Sequence, residues 1–70
     1  MSEAPAAADV AAMARLAKAL IFLRGVEDPT TIAVEKAAAS GKPEDIRKAR
    51  TLFSRLKPGD RAAALAMIAD

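Results

Sequence analysis

Apolar residues recur along two segments of the chain at the spacing of an α-helix. On a helical wheel, one broad apolar stripe runs through residues 10–23, made of Val10, Met13, Leu16, Ala17, Leu20, Ile21 and Leu23. A narrower stripe with no charge inside it runs through residues 46–56, made of Ile46, Ala49, Leu52, Phe53 and Leu56. These two segments are predicted to pair as the core. The weaker patterns of residues 29–40 and 59–69 predict outer helices that cover this pair.

Glycines and prolines divide the chain into helix-sized pieces. Gly25 and Gly41 each follow a helical pattern, and glycine readily takes the left-handed conformation that ends a helix. Asp28 precedes a proline and is suited to cap the helix that follows. The sequence therefore predicts an all-α fold, a small bundle of three to four short helices. We expect one domain, residues 1–70, with residues 1–5 as a flexible lead-in and helices at about 6–24, 29–40, 43–57 and 59–69.

The composition agrees with this interpretation and limits which disulfides or metal sites could stabilise the fold. Alanine, leucine, arginine, lysine and glutamate are the best helix formers, and the chain has 3% aromatic residues. It has no cysteine and no histidine, so we expect no disulfide, no metal site and no cofactor. A chain without cysteine fits a reducing compartment, which predicts a cytoplasmic location. Its alanine and arginine content also suggests a bacterial gene of high G+C content.

A membrane location is not expected. The longest strongly apolar run covers residues 19–23 and ends at Arg24, whereas a helix that spans a bilayer needs about 20 apolar residues. The start of the chain lacks the positive region of a secretory signal.

Catalysis is not expected either. Histidine, cysteine and tyrosine are absent, and the three glycines stand apart, so no glycine-rich phosphate loop is present. The adjacent carboxylates at 27–28 and 44–45 stand at helix starts, where capping explains them. A bundle of this size is also expected to lack a pocket of several hundred Å³, so we predict no small-molecule substrate.

The third predicted helix carries an excess of basic residues. Residues 47–57 contain five basic residues and no acidic one, although the formal net charge of the whole chain is only +2. Arg47, Arg50 and Lys57 are predicted to cluster around Ser54. The simplest interpretation is a solvated face; the alternatives are a surface for an acidic protein or for nucleic acid. The absence of asparagine and glutamine, which read bases, disfavours nucleic acid.

Phe22 departs from the apolar stripe of the first helix. The wheel places it among Ala11, Arg15 and Lys18. It is either covered by the loop that follows, through Val26 and Ile32, or exposed as part of an interface, since aromatic residues are enriched at interfaces.

Another candidate contact face lies on the last helix, where small residues surround a methionine, an adaptable contact residue. It is made of Ala63, Ala64, Ala66 and Met67.

These features favour a small non-catalytic helical interaction module, a regulator or adaptor, that binds another protein or forms a homodimer. Its candidate binding residues are Phe22, Arg47, Arg50, Ser54 and Lys57. The alternative is a small nucleic-acid-binding protein that uses the basic third helix. A third possibility is a structural element that is stable only inside a larger assembly.

Overall fold

A computed structural model describes residues 7–69, with side chains from Val10 onward. The four helices are α1 (Ala7–Arg24), α2 (Pro29–Ser40), α3 (Pro43–Ser54) and α4 (Pro58–Ile68). The predicted all-α bundle is confirmed, whereas the predicted lead-in at 1–5 lies outside the described residues. The Cα radius of gyration of 11.4 Å is close to the roughly 11 Å expected for a compact chain of 70 residues. The helices therefore fold back on one another.

The glycine, proline and aspartate signals act as the sequence predicts. Gly25 has a φ of 93° and Gly41 a φ of 66°, so both take the left-handed conformation beyond a helix end. Asp28 caps α2, because its Oδ2 accepts hydrogen bonds from the backbone N–H groups of Thr30, at 3.0 Å, and Thr31, at 3.3 Å. These caps place the start of α2 close to the end of α1.

α3 ends at Ser54, three residues before the predicted end at Lys57. The N–H of Arg55 donates to the carbonyl of Leu52, and the N–H of Leu56 donates to that of Phe53. These are the tighter bonds of a 3₁₀ turn. Pro58 explains the break, because a proline pushes the residue before it out of the helical region, and Lys57 has a ψ of 144°.

α2, rather than α3, is the main partner of α1, so the predicted pairing of the two striped helices is wrong. α2 packs against α1 and against α3, and Thr31, Val34 and Ala37 are fully buried. A helix that contacts neighbours on two flanks spreads its apolar residues around a wide arc. Its sequence therefore shows a weak stripe, which resembles that of an outer helix.

α4 packs against α1. Its helical wheel predicts a core-facing side made of Ala62, Leu65, Ile68 and Ala69, but only Ile68 of these is half-buried, the other three are exposed, and the fully buried residue is Ala64. A short helix rich in alanine has little contrast between its faces, so its pattern does not decide the orientation. The missing side-chain bulk at Ala64 lets α4 approach α1 closely.

Arg24 links three elements at one end of the bundle. Its Nε donates to Oδ1 of Asp28 at 3.0 Å, and its Nη1 donates to Oδ2 of Asp60 at 2.7 Å. The end of α1 is thereby tied to the cap of α2 and the first turn of α4. Because the Arg24 side chain is 32% exposed, these pairs contribute more to orientation than to stability.

Thr31 provides a test of this core. Its Oγ1 is buried and has no hydrogen-bond partner among the described residues, which carries a free-energy penalty that an apolar side chain of the same shape avoids. Thr31→Val is expected to raise the free energy of unfolding by about 1 kcal/mol, measured by urea denaturation. Thr51→Val is the control: its hydroxyl is exposed and donates to the carbonyl of Arg47, and we expect a change within about 0.5 kcal/mol. A loss of stability in Thr31→Val would show that the hydroxyl has a partner.

Candidate binding surfaces

Phe22 lies on the side of α1 that faces away from the core. Its side chain is 79% exposed, whereas Leu20, two residues earlier, is fully buried. Two residues along a helix correspond to a rotation of about 200°, so the two side chains point in nearly opposite directions. Val26 and Ile32, the residues considered as a cover, are themselves 59% and 51% exposed. The structure therefore decides for the exposed alternative.

Four further exposed residues share this side of α1 with Phe22. We call the set the outer face of α1; it consists of Ala11, Ala14, Arg15, Lys18 and Phe22. Two alanines and two cations leave Phe22 as the large apolar side chain of this face. The face is thus a ridge of small and basic residues with an aromatic ring near the end of the helix.

Shallow grooves border this ridge on both sides. The groove towards α4 has a volume of about 300 Å³ and is lined by Arg15, Lys18, Ala19, Met67 and Ile68. The groove towards α2 has a volume of about 440 Å³ and is lined by Ala14, Ala17, Lys18, Ile21, Glu35, Ala38 and Ala39. Met67 is 48% exposed at the first groove, whereas Ala64 of the same predicted contact face is buried. That predicted face is therefore split between core and surface.

The basic residues of α3 are exposed as predicted, but they do not form a single cluster. Arg47, Arg50 and Ser54 follow each other at intervals of three and four residues and share one side of the helix. Lys57 is exposed beyond the end of α3, so helical spacing no longer places it beside Ser54. The predicted grouping assumed that the helix continues through Lys57, and the turn before Pro58 prevents this.

The Ser54 hydroxyl is engaged by its own helix. Its Oγ donates to the carbonyl of Thr51 at 2.7 Å, so in this conformation its proton is not directed at a partner. The backbone carbonyl of Ser54 accepts a hydrogen bond from Nη1 of Arg61 at 3.1 Å, and that of Leu56 accepts one at 2.7 Å. Arg61 thus caps the carbonyl end of α3 from the next helix. Sequence analysis missed this role, and a cation just after a helix end was the available signal.

A groove between α2 and α3 was also missed. It has a volume of about 390 Å³ and is lined by Pro29, Ile32, Ala33, Lys36, Asp45, Lys48 and Leu52. This volume falls within the range of ligand pockets, so the expectation that a bundle of this size has no such space is wrong. The signal in the sequence was Ile32, which lies off the apolar side of α2 and opposite Val34.

The chemistry of these surfaces is apolar contact and charge pairing. Within residues 7–69, no group of three or more acidic, histidine or cysteine residues is arranged to hold a metal ion. No helix in the described part of the chain combines the length and the apolar character needed to cross a bilayer.

Phe22 and Leu20 form a matched pair for a stability test. Phe22→Ala removes an exposed ring from a helix and is expected to change the free energy of unfolding by no more than about 0.5 kcal/mol. Leu20→Ala creates a cavity in the core and is expected to lower it by about 2 to 5 kcal/mol. Thermal and urea unfolding followed by circular dichroism measure both. A loss above about 2 kcal/mol in Phe22→Ala would mean that the ring packs inside the fold.

Comparisons with protein-family models, with curated proteins and with solved structures each find no match to this chain. The chain presents three candidate binding surfaces: the outer face of α1, the basic side of α3 and the α2–α3 groove.

Proposed function

We propose that this protein is a small non-catalytic helical interaction module, a regulator or adaptor that binds another protein or a second copy of itself through the outer face of α1. The observation that carries the proposal is the 79% exposure of Phe22. Burial of a phenylalanine side chain contributes about 1.5 to 3 kcal/mol. The fold does not use this ring, although half of the buried apolar residues in its core are alanine.

The shape around Phe22 suits a protein partner. The ridge of α1 lies between two grooves. The groove towards α2 is lined mostly by alanine, and small residues allow another helix to approach closely. Lys18 lines both grooves and provides a charge at the edge of the surface, where charge pairs favour specificity over affinity. An aromatic anchor with small and charged neighbours is the composition of many interface centres.

The absence of histidine, cysteine and tyrosine supports a non-catalytic role. The serines of the described helices have structural partners instead. Ser40 donates to Oδ2 of Asp45 at 2.6 Å, which joins the end of α2 to the first turn of α3. Ser54 bonds within its own helix. The cysteine-free composition supports the cytoplasm as the place where the protein acts.

The proposal is tested by affinity capture from the native cells, with nuclease treatment and mass spectrometry. Phe22→Ala is expected to lose the captured proteins, because truncation of a central interface residue weakens binding by about 30-fold or more. Leu65→Ala also removes an exposed apolar side chain, but from α4 and outside both the outer face of α1 and the α2–α3 groove, and is expected to retain them. Sedimentation of the purified chain tests the homodimer separately. Partners or dimers that Phe22→Ala leaves intact would contradict this role of the outer face.

Nucleic-acid binding is a second candidate, favoured by the shared exposed side of Arg47, Arg50 and Ser54. It is weaker because Lys57 lies beyond the end of α3 and the Ser54 hydroxyl donates to the carbonyl of Thr51. Our main proposal predicts no mobility shift with duplex DNA or single-stranded RNA at about 50 mM salt. A complex that weakens steeply with added salt and is lost in Arg47→Glu/Arg50→Glu would instead establish the second candidate. Lys18→Glu/Lys36→Glu is the control of equal charge.

A further inference from the structure

The α2–α3 groove combines an apolar end with a charged end. α3 runs back along α2, because the connection between the helices is short and Ser40 contacts Asp45 across it. The groove therefore has Lys36, Asp45 and Lys48 nearer the connection and Ile32 and Leu52 farther from it. This polarity suits an occupant that is itself amphipathic.

The apolar end is incompletely covered by the fold. Ile32 is 51% exposed, Leu52 is half-buried, and Ala33 between the helices is 9% exposed. These side chains form a floor that water contacts in the isolated chain. An apolar side chain placed over Ile32 and Leu52 would remove that surface from water, which is the main source of affinity in such grooves.

The charged end of the groove presents two lysine side chains, Lys36 and Lys48, to a partner. The carboxylate of Asp45 already accepts a hydrogen bond from Ser40 at 2.6 Å. Lys36 and Lys48 are exposed, and their side chains make no hydrogen bond or ion pair with any other residue in the described part of the chain. No acidic residue follows Lys48 before Asp60. An occupant with carboxylates would therefore meet two ammonium groups that form no ion pair within the described residues; with the carboxylate of Asp45, the charged lining residues carry a net charge of +1.

We propose that the α2–α3 groove is a binding site for a short acidic, amphipathic segment of a partner protein. Apolar side chains of the segment cover Ile32 and Leu52, and its carboxylates pair with Lys36 and Lys48. A helical segment presents such side chains at positions i, i+3 and i+4 along one face. The inference goes beyond the function proposed for Phe22, because the groove shares no residue with the outer face of α1.

The charge of the groove argues for a peptide with carboxylates over a second copy of this chain. The exposed surface of α3 is basic, and two copies meeting through this groove would bring Lys36, Lys48 and the arginines of α3 together. Like charges at an interface disfavour that contact. A segment rich in glutamate or aspartate instead gains from the field of the whole helix.

The test uses the full chain and synthetic peptides. The probe is a fluorescein-labelled amphipathic peptide of glutamate with leucines at i, i+3, i+4 and i+7. Control peptides carry lysine in place of glutamate or serine in place of leucine. Anisotropy is expected to show binding of the probe and loss of at least about tenfold in affinity for both controls. Amide shifts in NMR spectra are expected within residues 30–36 and 45–52.

Variants of the chain locate the site. Lys36→Glu/Lys48→Glu is expected to lower the affinity for the probe by about tenfold, because two ion pairs with the peptide carboxylates are replaced by two like-charge repulsions. Lys18→Glu/Lys57→Glu changes the net charge equally outside the groove and is expected to change the affinity less than about twofold. Ile32→Ser tests the apolar floor and is expected to weaken binding, whereas Phe22→Ala is expected to leave it unchanged. This last comparison separates the groove from the outer face of α1.

Several results would overturn the inference. The first is failure of the glutamate–leucine probe to bind. The second is an equal loss of probe affinity in Lys36→Glu/Lys48→Glu and in Lys18→Glu/Lys57→Glu. The third is a set of amide shifts confined to α1. Concentration-dependent shifts in the groove without peptide would assign it to a second copy of the chain. Tighter binding of dodecanoate than of the probe would assign it to a small amphiphile. Loss of partner capture in Phe22→Ala, with probe binding intact, would support both surfaces independently.

Discussion

The close packing of α2 against α1 on one side and α3 on the other is the contact on which the rest of the fold depends. Thr31, Val34 and Ala37 of α2 are fully buried, and two of these three side chains are small or polar. Small side chains bury little apolar area each, so helices must approach closely to form a dense core. The central helix is therefore one with modest side chains, and the larger side chains of α1 and α3 pack around it.

This thin core explains what remains on the surface. The bundle has room inside for Leu16, Leu20 and Ile46, but α1, α2 and α4 also carry larger apolar side chains that are exposed. Phe22 and Ile32 lie outside on different helices, each next to basic residues. Neither side chain contributes much buried apolar area to the fold. The proposed contacts with partners would bury both.

The two proposed surfaces differ in physical character. The outer face of α1 is a ridge whose apolar residue projects outward, so it suits a partner with a recess. The α2–α3 groove is a recess with an apolar floor and two lysines, so it suits a partner with a projecting, acidic segment. Because the two proposed surfaces share no residue, a chain that used both of them would hold two partners together, which is the physical basis of the proposed adaptor role.

The sequence by itself determined the helices and most of their boundaries. Gly25, Gly41, Asp28 and the prolines act through local backbone geometry, which does not depend on the rest of the fold. The helical pattern also placed Phe22 on the side of α1 opposite Leu20. These features are local, and the structure bears them out at the residue level.

The tertiary structure alone decided which helices meet and what their contacts leave open. Periodicity shows how strongly one face of a helix is apolar, but it does not show how many neighbours that helix has. The weak stripe of α2 therefore predicts an outer helix, although α2 is central. The orientation of α4, the cap that Arg61 provides for α3, and the α2–α3 groove all depend on residues far apart in sequence. Such contacts follow from packing in three dimensions, which no single helical pattern contains.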